Sequence, residues 1–288
     1  MENMERLKGS KVLVTGGAGF IGSYVVKELL HKGCHVSVID ITTHRASVFV
    51  LDHLQDSVDY INLDIRNKKN TIRYIKDKDF NWIFHLAAEP IVEKSYNNPM
   101  ETLETNIMGT VHVLEAARAI KNLRGVFVAS SDKAYGKSNS NSYTEETALR
   151  GDHPYDVSKS CEDLIAQTYI KTYNLPIVIT RFGNVYGGGD VHKDRIIPSI
   201  CLACIQKKKL EIRSDGNYVR DYIYVEDVAS AYMFLFENIQ KVIGQAYNIS
   251  SEDSFSVVDL VHQAREILNK NIEYKILNTA KNEIPYQH

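Results

Sequence analysis

No stretch of this 288-residue chain is apolar for long enough to suggest a membrane-spanning helix. An excess of one charge is also missing. The 34 Lys and Arg against 36 Asp and Glu leave a formal −2, which gives no signal for nucleic acid or an anionic membrane as partner. Cysteine is scarce: Cys34, Cys161, Cys201 and Cys204 fit a reduced cytoplasmic protein better than a disulfide scaffold. Cys201 and Cys204 form a C-x-x-C within an apolar helical stretch, with no second cysteine or histidine cluster nearby. They read as buried helix cysteines rather than ligands. The ten histidines show no ligand spacing, so no metal is expected. Repeats and low-complexity tracts are absent too. Residues 1–9 are charged and run straight into a β-branched run, so no signal peptide is expected.

What the chain does have is alternation. Apolar, β-branched runs at 11–15, 35–40, 58–64, 82–87, 125–130 and 176–182 alternate with helical patterns at 20–31, 71–76, 100–120 and 155–173. Strands alternating with helices predict a doubly wound, Rossmann-like parallel α/β sheet. Beyond residue 182 the rhythm loosens into helices at 195–206, 226–238 and 257–269 and short strands at 210–213, 218–225 and 246–249. The expected division is therefore a dinucleotide-binding domain over 1–182 and a smaller α/β substrate lobe over 183–288, with an interleaved boundary.

The run Thr15-Gly16-Gly17-Ala18-Gly19-Phe20-Ile21-Gly22 follows the first strand and opens the first helix. Glycines there allow a tight turn and a close approach of backbone to a pyrophosphate, which the helix N-terminus favours. Asp40 closes the second strand, where a carboxylate accepts hydrogen bonds from an adenosine ribose and repels a 2′-phosphate. That predicts NAD over NADP; His44 and Arg45 just beyond are the opposing feature. Asp64, with Ile65 beside it, is placed either for the adenine amine or as a helix N-cap. Leu86, Ala87 and Ala88 end the fourth strand with the small side chains a nearby cofactor needs. Asn106 lies in the next helix, where its amide is more useful to the backbone of a neighbouring strand than to solvent, and Ser130 ends the fifth strand; both are expected among the cofactor contacts.

Ser130-Ser131-Asp132-Lys133 places hydroxyl, carboxylate and amine side by side, upstream of Tyr155 and Lys159. One helical turn separates Tyr155 from Lys159, so the ammonium is expected to lower the phenol's pKa and make it a base. Asp132 and Lys133 are proton-transfer groups beyond what an alcohol oxidation needs; a turn cap and a solvated lysine are the alternative. Tyr74 and Lys78 repeat the spacing without an upstream Ser-Ser and read as coincidence. Lys207-Lys208-Lys209 reads as a solvated face.

With these motifs in this order across residues 12–249, together with Arg220-Asp221-Tyr222-Ile223-Tyr224-Val225-Glu226-Asp227, the chain resembles the extended short-chain dehydrogenases/reductases that act on nucleotide sugars. The resemblance implies NAD, a nucleoside-diphospho-sugar substrate and a homodimer packed through helices 100–120 and 155–173. It implies that Ser131 binds the sugar 4-hydroxyl, Tyr155 takes its proton, and Lys159 holds the nicotinamide ribose. Epimerases need nothing further, whereas 4,6-dehydratases add an acid–base pair, which Asp132 (acid toward C6) and Lys133 (base toward C5) resemble. For Lys133 this requires a depressed pKa, which burial beside NAD would favour. The wording around Ser131-Asp132-Lys133, Gly187-Gly188-Gly189-Asp190 and Asp194-Arg195-Ile196-Ile197-Pro198 is most similar to CDP-glucose 4,6-dehydratases. Glu89 departs from that subgroup, where glutamine is common. Asn184, Arg195 and Arg220 are implied to hold the diphosphate and Glu89 the sugar; for Arg220 a salt bridge to Asp221 or Asp227 is the alternative. The chain stops at His288, earlier than the resemblance implies, so part of the second lobe is expected to be missing. A nucleotide-sugar 4-epimerase and a non-catalytic dinucleotide sensor are the competing functions.

Overall fold

Strands Lys11–Thr15 (β1), His35–Asp40 (β2), Asp59–Asn62 (β3), Trp82–His85 (β4), Gly125–Ser131 (β5) and Ile177–Phe182 (β6) form the first half of the chain. Apart from β3 they are apolar on both faces, as strands covered by helices on both sides must be. Asn184–Tyr186 (β7), Leu210–Ile212 (β8), Val219–Tyr224 (β9), Ala246–Ile249 (β10), Ser254–Ser256 (β11), Tyr274–Ile276 (β12) and Tyr286–Gln287 (β13) follow. In the computed structural model, which describes residues 7–137, 142–251, 253–280 and 286–287, seven strands pair in the order β10-β6-β5-β4-β1-β2-β3. Every pair is parallel. The order reverses between β1 and β4. At that reversal the connections leave toward opposite faces and open a crevice at the strands' carboxyl ends.

Helices Phe20–His31 (α1), Lys68–Lys78 (α2), Gly109–Arg118 (α3), Pro154–Tyr173 (α4), Ile196–Gln206 (α5), Val225–Glu237 (α6) and Val257–Leu268 (α7) supply the layers. Val12, Val14 and Phe84 face α1 and α6, where Tyr232 and Phe236 complete an aromatic cluster with Phe127. Leu13, Ile83 and Val126 point the other way, onto Val113 and Leu114 of α3 and Ala166 of α4.

Two expectations change. The helix expected over 100–120 is Pro99–Leu103, a wide π turn over Glu104–Met108, then α3. The turn directs the Asn106 side chain onto the backbone of Glu89. Strand 246–249, expected with the second lobe, is instead β10, which pairs with β6. The residues of β6 are all buried, and without β10 that strand would be a bare apolar edge. The chain thus returns to the first layer through α6 and β10 before rebuilding the lobe. The lobe's own core gathers Ile200, Leu210, Ile212, Leu260, Val261 and Ile272 from α5, β8, α7 and the approach to β12. Cys201 is exposed and Cys204 half-buried, against the expectation of burial, because their helix turns that face outward. Among the described residues no helix is long and apolar enough to cross a membrane, and no group of three or more His, Cys, Asp or Glu side chains could hold a metal ion.

Candidate active site

The crevice at the strand ends widens into a cleft of about 950 Å³ between the sheet and the lobe. That is the upper end of the range for one small-molecule site. Its floor is the glycine loop. Gly16 has φ +72°, and a Cβ there would lie 2.7 Å from the Ala87 amide, so β1 and β4 can end side by side only with glycine at this position. At Gly22 a Cβ would overlap the Gly16 carbonyl, which would force α1 off the loop. No side chain caps α1, and its first turn carries no acid, so its leading N–H groups open onto the cleft beside Gly19, Phe20 and Ile21. Such an end is a ready anion site. The Asp40 carboxylate accepts the Ala18 and Ile41 N–H groups at 3.0 and 2.8 Å. Burial pushes its pKa up, and those N–H groups partly hold it down. The loop and the β2 terminus are thereby one rigid unit, fit for a dinucleotide's pyrophosphate and ribose.

Most of the expected cofactor contacts line the cleft: Gly16, Gly19, Phe20, Ile21, Gly22, Asp40, Asp64, Ile65, Leu86, Ala87, Ala88, Ser130, Tyr155 and Lys159. Asn106 does not. It is fully buried behind the wall, accepting the Glu89 N–H at 2.7 Å and donating to Ser158 at 2.8 Å, so it shapes the site without reaching a ligand. Asp64 is not the cap of α2; Asn67 is. Asp64 instead grips Arg66 through three bonds of 2.6–3.1 Å, and that guanidinium outweighs burial and lowers its pKa. His44 and Arg45 are exposed and absent from the cleft lining. Ser130 Oγ is buried with no partner, an orphan that a ligand group can satisfy.

The opening motif is folded by its own hydroxyl. Ser131 Oγ accepts the Lys133 N–H at 3.2 Å, capping the short turn Asp132–Tyr135, and donates to Asp132 Oδ1 at 2.9 Å. Both charged side chains then enter the cleft, where Lys133 Nζ lies 3.1 Å from Asp132 Oδ2 with little of either exposed. Lys133 thus faces the cleft, part-buried, rather than the open surface. Tyr155 stands on the first turn of α4, opened by Pro154. Burial raises its pKa and Lys159 opposes, so the expected net lowering is not present in the protein alone. Lys159 donates to the Ala129 carbonyl at 2.8 Å and to Glu162 at 2.7 Å. The pair Tyr74–Lys78 lies away from the cleft, with Lys78 on Asp59.

On the lobe side, Asn184, Arg195 and Arg220 line the cleft. Arg195 pairs with Asp190 at 3.1 Å, and Arg220 donates to the Val219 carbonyl and lies over the Tyr218 ring. Glu89 is in the wall but bonded to Lys94.

The reading of sequence missed two buried acids. Asp156, next to Tyr155, has its pKa raised to about 6, chiefly by burial. Glu162 lies one turn past Lys159, and that i,i+3 spacing was the available signal.

A family model described as GDP-mannose 4,6 dehydratase matches residues 13–287. A dTDP-glucose 4,6-dehydratase of Escherichia coli is 33% identical over 283 residues, spanning 90% of this chain and 77% of that protein. Among solved structures, dTDP-glucose 4,6-dehydratase from Streptomyces venezuelae with NAD and TYD bound has a TM-score of 0.85 at 28% identity, over 96% of this chain and 87% of its own. UDP-glucuronic acid 4-epimerase from Bacillus cereus, in complex with UDP-glucuronic acid and NAD, has a TM-score of 0.87 at 28% identity, over 96% and 89%.

Proposed function

We infer the function from one premise: the chain belongs to the GDP-mannose 4,6-dehydratase family. It is an NAD-dependent nucleotide-sugar 4,6-dehydratase, a hydro-lyase that turns an NDP-hexose into an NDP-4-keto-6-deoxyhexose and water. The observation that carries this over the epimerase reading is the Asp132–Lys133 pair, bonded to each other inside the cleft beside Ser131. An epimerase has no use for it.

Bound NAD supplies hydride acceptance at C4 and hydride return at C6. Residues 16–22 and Asp40 would hold its pyrophosphate and ribose, and Lys159 its nicotinamide ribose. Tyr155 removes the 4-hydroxyl proton while Ser131 orients that hydroxyl. With C4 a ketone, the C5 proton becomes acidic; Lys133 removes it and Asp132 protonates the departing 6-hydroxyl. The charged pair is not yet in the right form for that step. One proton passing along the 3.1 Å contact gives the neutral amine and carboxylic acid that the step requires. Removing the C5 proton and releasing water then restores the ion pair; hydride return to C6 is matched by the Lys133 ammonium giving a proton back to C5, and the proton Tyr155 took from the 4-hydroxyl recharges Asp132, so protons balance over the cycle.

CDP-glucose is proposed as substrate, on the support of the lysine at 133 and the runs 187–190 and 194–198. Asn184, Arg195 and Arg220 are assigned to its diphosphate, guanidinium forks being suited to those oxygens. A cytoplasmic homodimer is part of the proposal, packed where Met100, Met108, Leu164 and Tyr173 are exposed. The test is incubation with CDP-, dTDP-, UDP- and GDP-hexoses, followed by product mass. Loss of one water with CDP-glucose is expected. An isomer of unchanged mass identifies an epimerase, and binding without turnover a sensor.

Asp40→Ala is expected to weaken NAD binding by roughly 10- to 100-fold, the worth of charge-assisted hydrogen bonds to ribose at about 1.5–3 kcal/mol. Fluorescence titration of NAD against the variant checks this; an unchanged affinity removes Asp40 from the cofactor site.

A further inference from the structure

Glu162 and Asp163 are adjacent acids on α4, both essentially inaccessible to solvent. Each has its own cation. Asp163 forms a two-pronged pair with Arg181 of β6, at 2.8 and 3.0 Å. Glu162 Oε2 lies 2.7 Å from Lys159 Nζ. Among the described residues the carboxylate of Glu162 has no cation within ion-pair distance other than the lysine assigned to the nicotinamide ribose. Behind it the site is uncharged. Thr110 from α3 lies 2.6 Å from the Asn106 carbonyl and 2.9 Å from His85 Nε2 of β4, and its hydroxyl also hydrogen-bonds Glu162, helping to hold that carboxyl's pKa down. His85 Nδ1 lies 2.7 Å from the Thr15 hydroxyl. Burial drives the pKa of His85 down to about 3, so this imidazole stays neutral. Tyr232 of α6 also faces Glu162, and its burial keeps it un-ionised. On the cleft side Lys159 meets Tyr155, with Asp132 and Arg195 as the more distant charges on that phenol.

We propose that Glu162 is a positioning residue for the dehydratase reaction, the fixed counter-ion that keeps Lys159 protonated and aimed at the cofactor ribose through the whole cycle. The proposal rests on the function given above. A lysine buried against sheet and helix is pushed toward the neutral amine, and the positive nicotinamide ring of NAD pushes it further. An amine in place of the ammonium would neither hold the ribose by charge nor help Tyr155 ionise. Glu162 opposes both pressures from a place where it touches neither substrate nor cofactor. Burial lowers the Lys159 pKa, and Glu162 with Tyr155 outweighs it; burial in turn pushes Glu162 up to about 7 with Lys159 holding it down, so each group sets the charge of the other across the 2.7 Å contact.

The test uses Glu162→Gln in the NAD-loaded enzyme, with the sugar nucleotide that the wild type turns over. The alkaline limb of kcat/KM is expected to move to lower pH by one unit or more, because Lys159 now loses its proton early. A limb that coincides with the wild type overturns the proposal. Infrared spectroscopy of Lys159→Met gives a second readout that needs no turnover. Without its ammonium Glu162 should take up a proton at neutral pH and show a carboxylic-acid C=O band that Lys159→Met/Glu162→Gln lacks. Absence of that band also overturns it. If the wild type turns over no sugar nucleotide, the dehydratase reading fails, and the infrared band still decides the coupling.

Discussion

Replacing Tyr155 by phenylalanine is expected to lower turnover by roughly 10²- to 10⁴-fold, the usual contribution of a positioned acid–base group. The ring stays on the first turn of α4 and only the hydroxyl goes, so the melting temperature and NAD affinity should remain near wild type. The sign of the pH dependence follows from the site. Burial raises the phenol's pKa and the Lys159 ammonium lowers it, leaving it above the ordinary tyrosine value in the protein alone. The phenolate is then the scarce form at neutral pH, and wild-type kcat/KM should climb with pH as that form accumulates. The phenylalanine variant should lose both the rate and the climb. A loss smaller than about fivefold would remove Tyr155 from the proton-transfer role.

Lys133→Ala is expected to slow water release by a comparable roughly 10²- to 10⁴-fold and to stop exchange of the C5 proton with solvent deuterium, while C4 oxidation and NAD binding continue. The reason is division of labour: Tyr155 and Ser131 act at C4, and the 132–133 pair acts one and two carbons away. Asp132→Asn makes the sharper test. If Lys133 reaches its neutral form by handing its proton along the 3.1 Å contact, the asparagine variant should lose C5 exchange as well, since the amide cannot accept that proton. Exchange at the wild-type rate in Asp132→Asn would show that Lys133 does not depend on its neighbour. Mass spectrometry of substrate recovered from deuterium oxide reads both variants.

The site was legible where chemistry is written in local order. Gly16 to Gly22, Asp40, the run Leu86 to Ala88 with its two small alanines, and Ser131 through Lys159 each sit where a strand ends or a helix begins, and the sheet gathers those ends at one crevice. It was illegible where a role depends on what lies across the fold. Asn106 is in a helix by pattern, its amide expected to serve neighbouring backbone as well as the cofactor; only the π turn decides that the backbone is that of Glu89 and that no ligand is reached. Glu162 and Asp163 look like a solvated acidic face, and only the packing of α4 against β6 and α3 shows that each has a separate buried role. The strand at 246–249 is four residues long, and its partner is set by the exposed edge of β6, a quantity no local window contains.

That last strand has a consequence for how the chain is made. Ala246 pairs with Ile179, and α6 covers the sheet only once residue 237 exists. As the polypeptide leaves the ribosome, the first domain emerges with every catalytic side chain from Ser131 to Lys159 already synthesised. Its β6 edge is still open, and Phe84 and Phe127 still lack their aromatic cover. Non-local pairings of this kind close slowly, and open apolar edges are where nascent chains associate wrongly. A fragment ending at residue 182 should therefore aggregate on synthesis, and one carried through residue 249 should not.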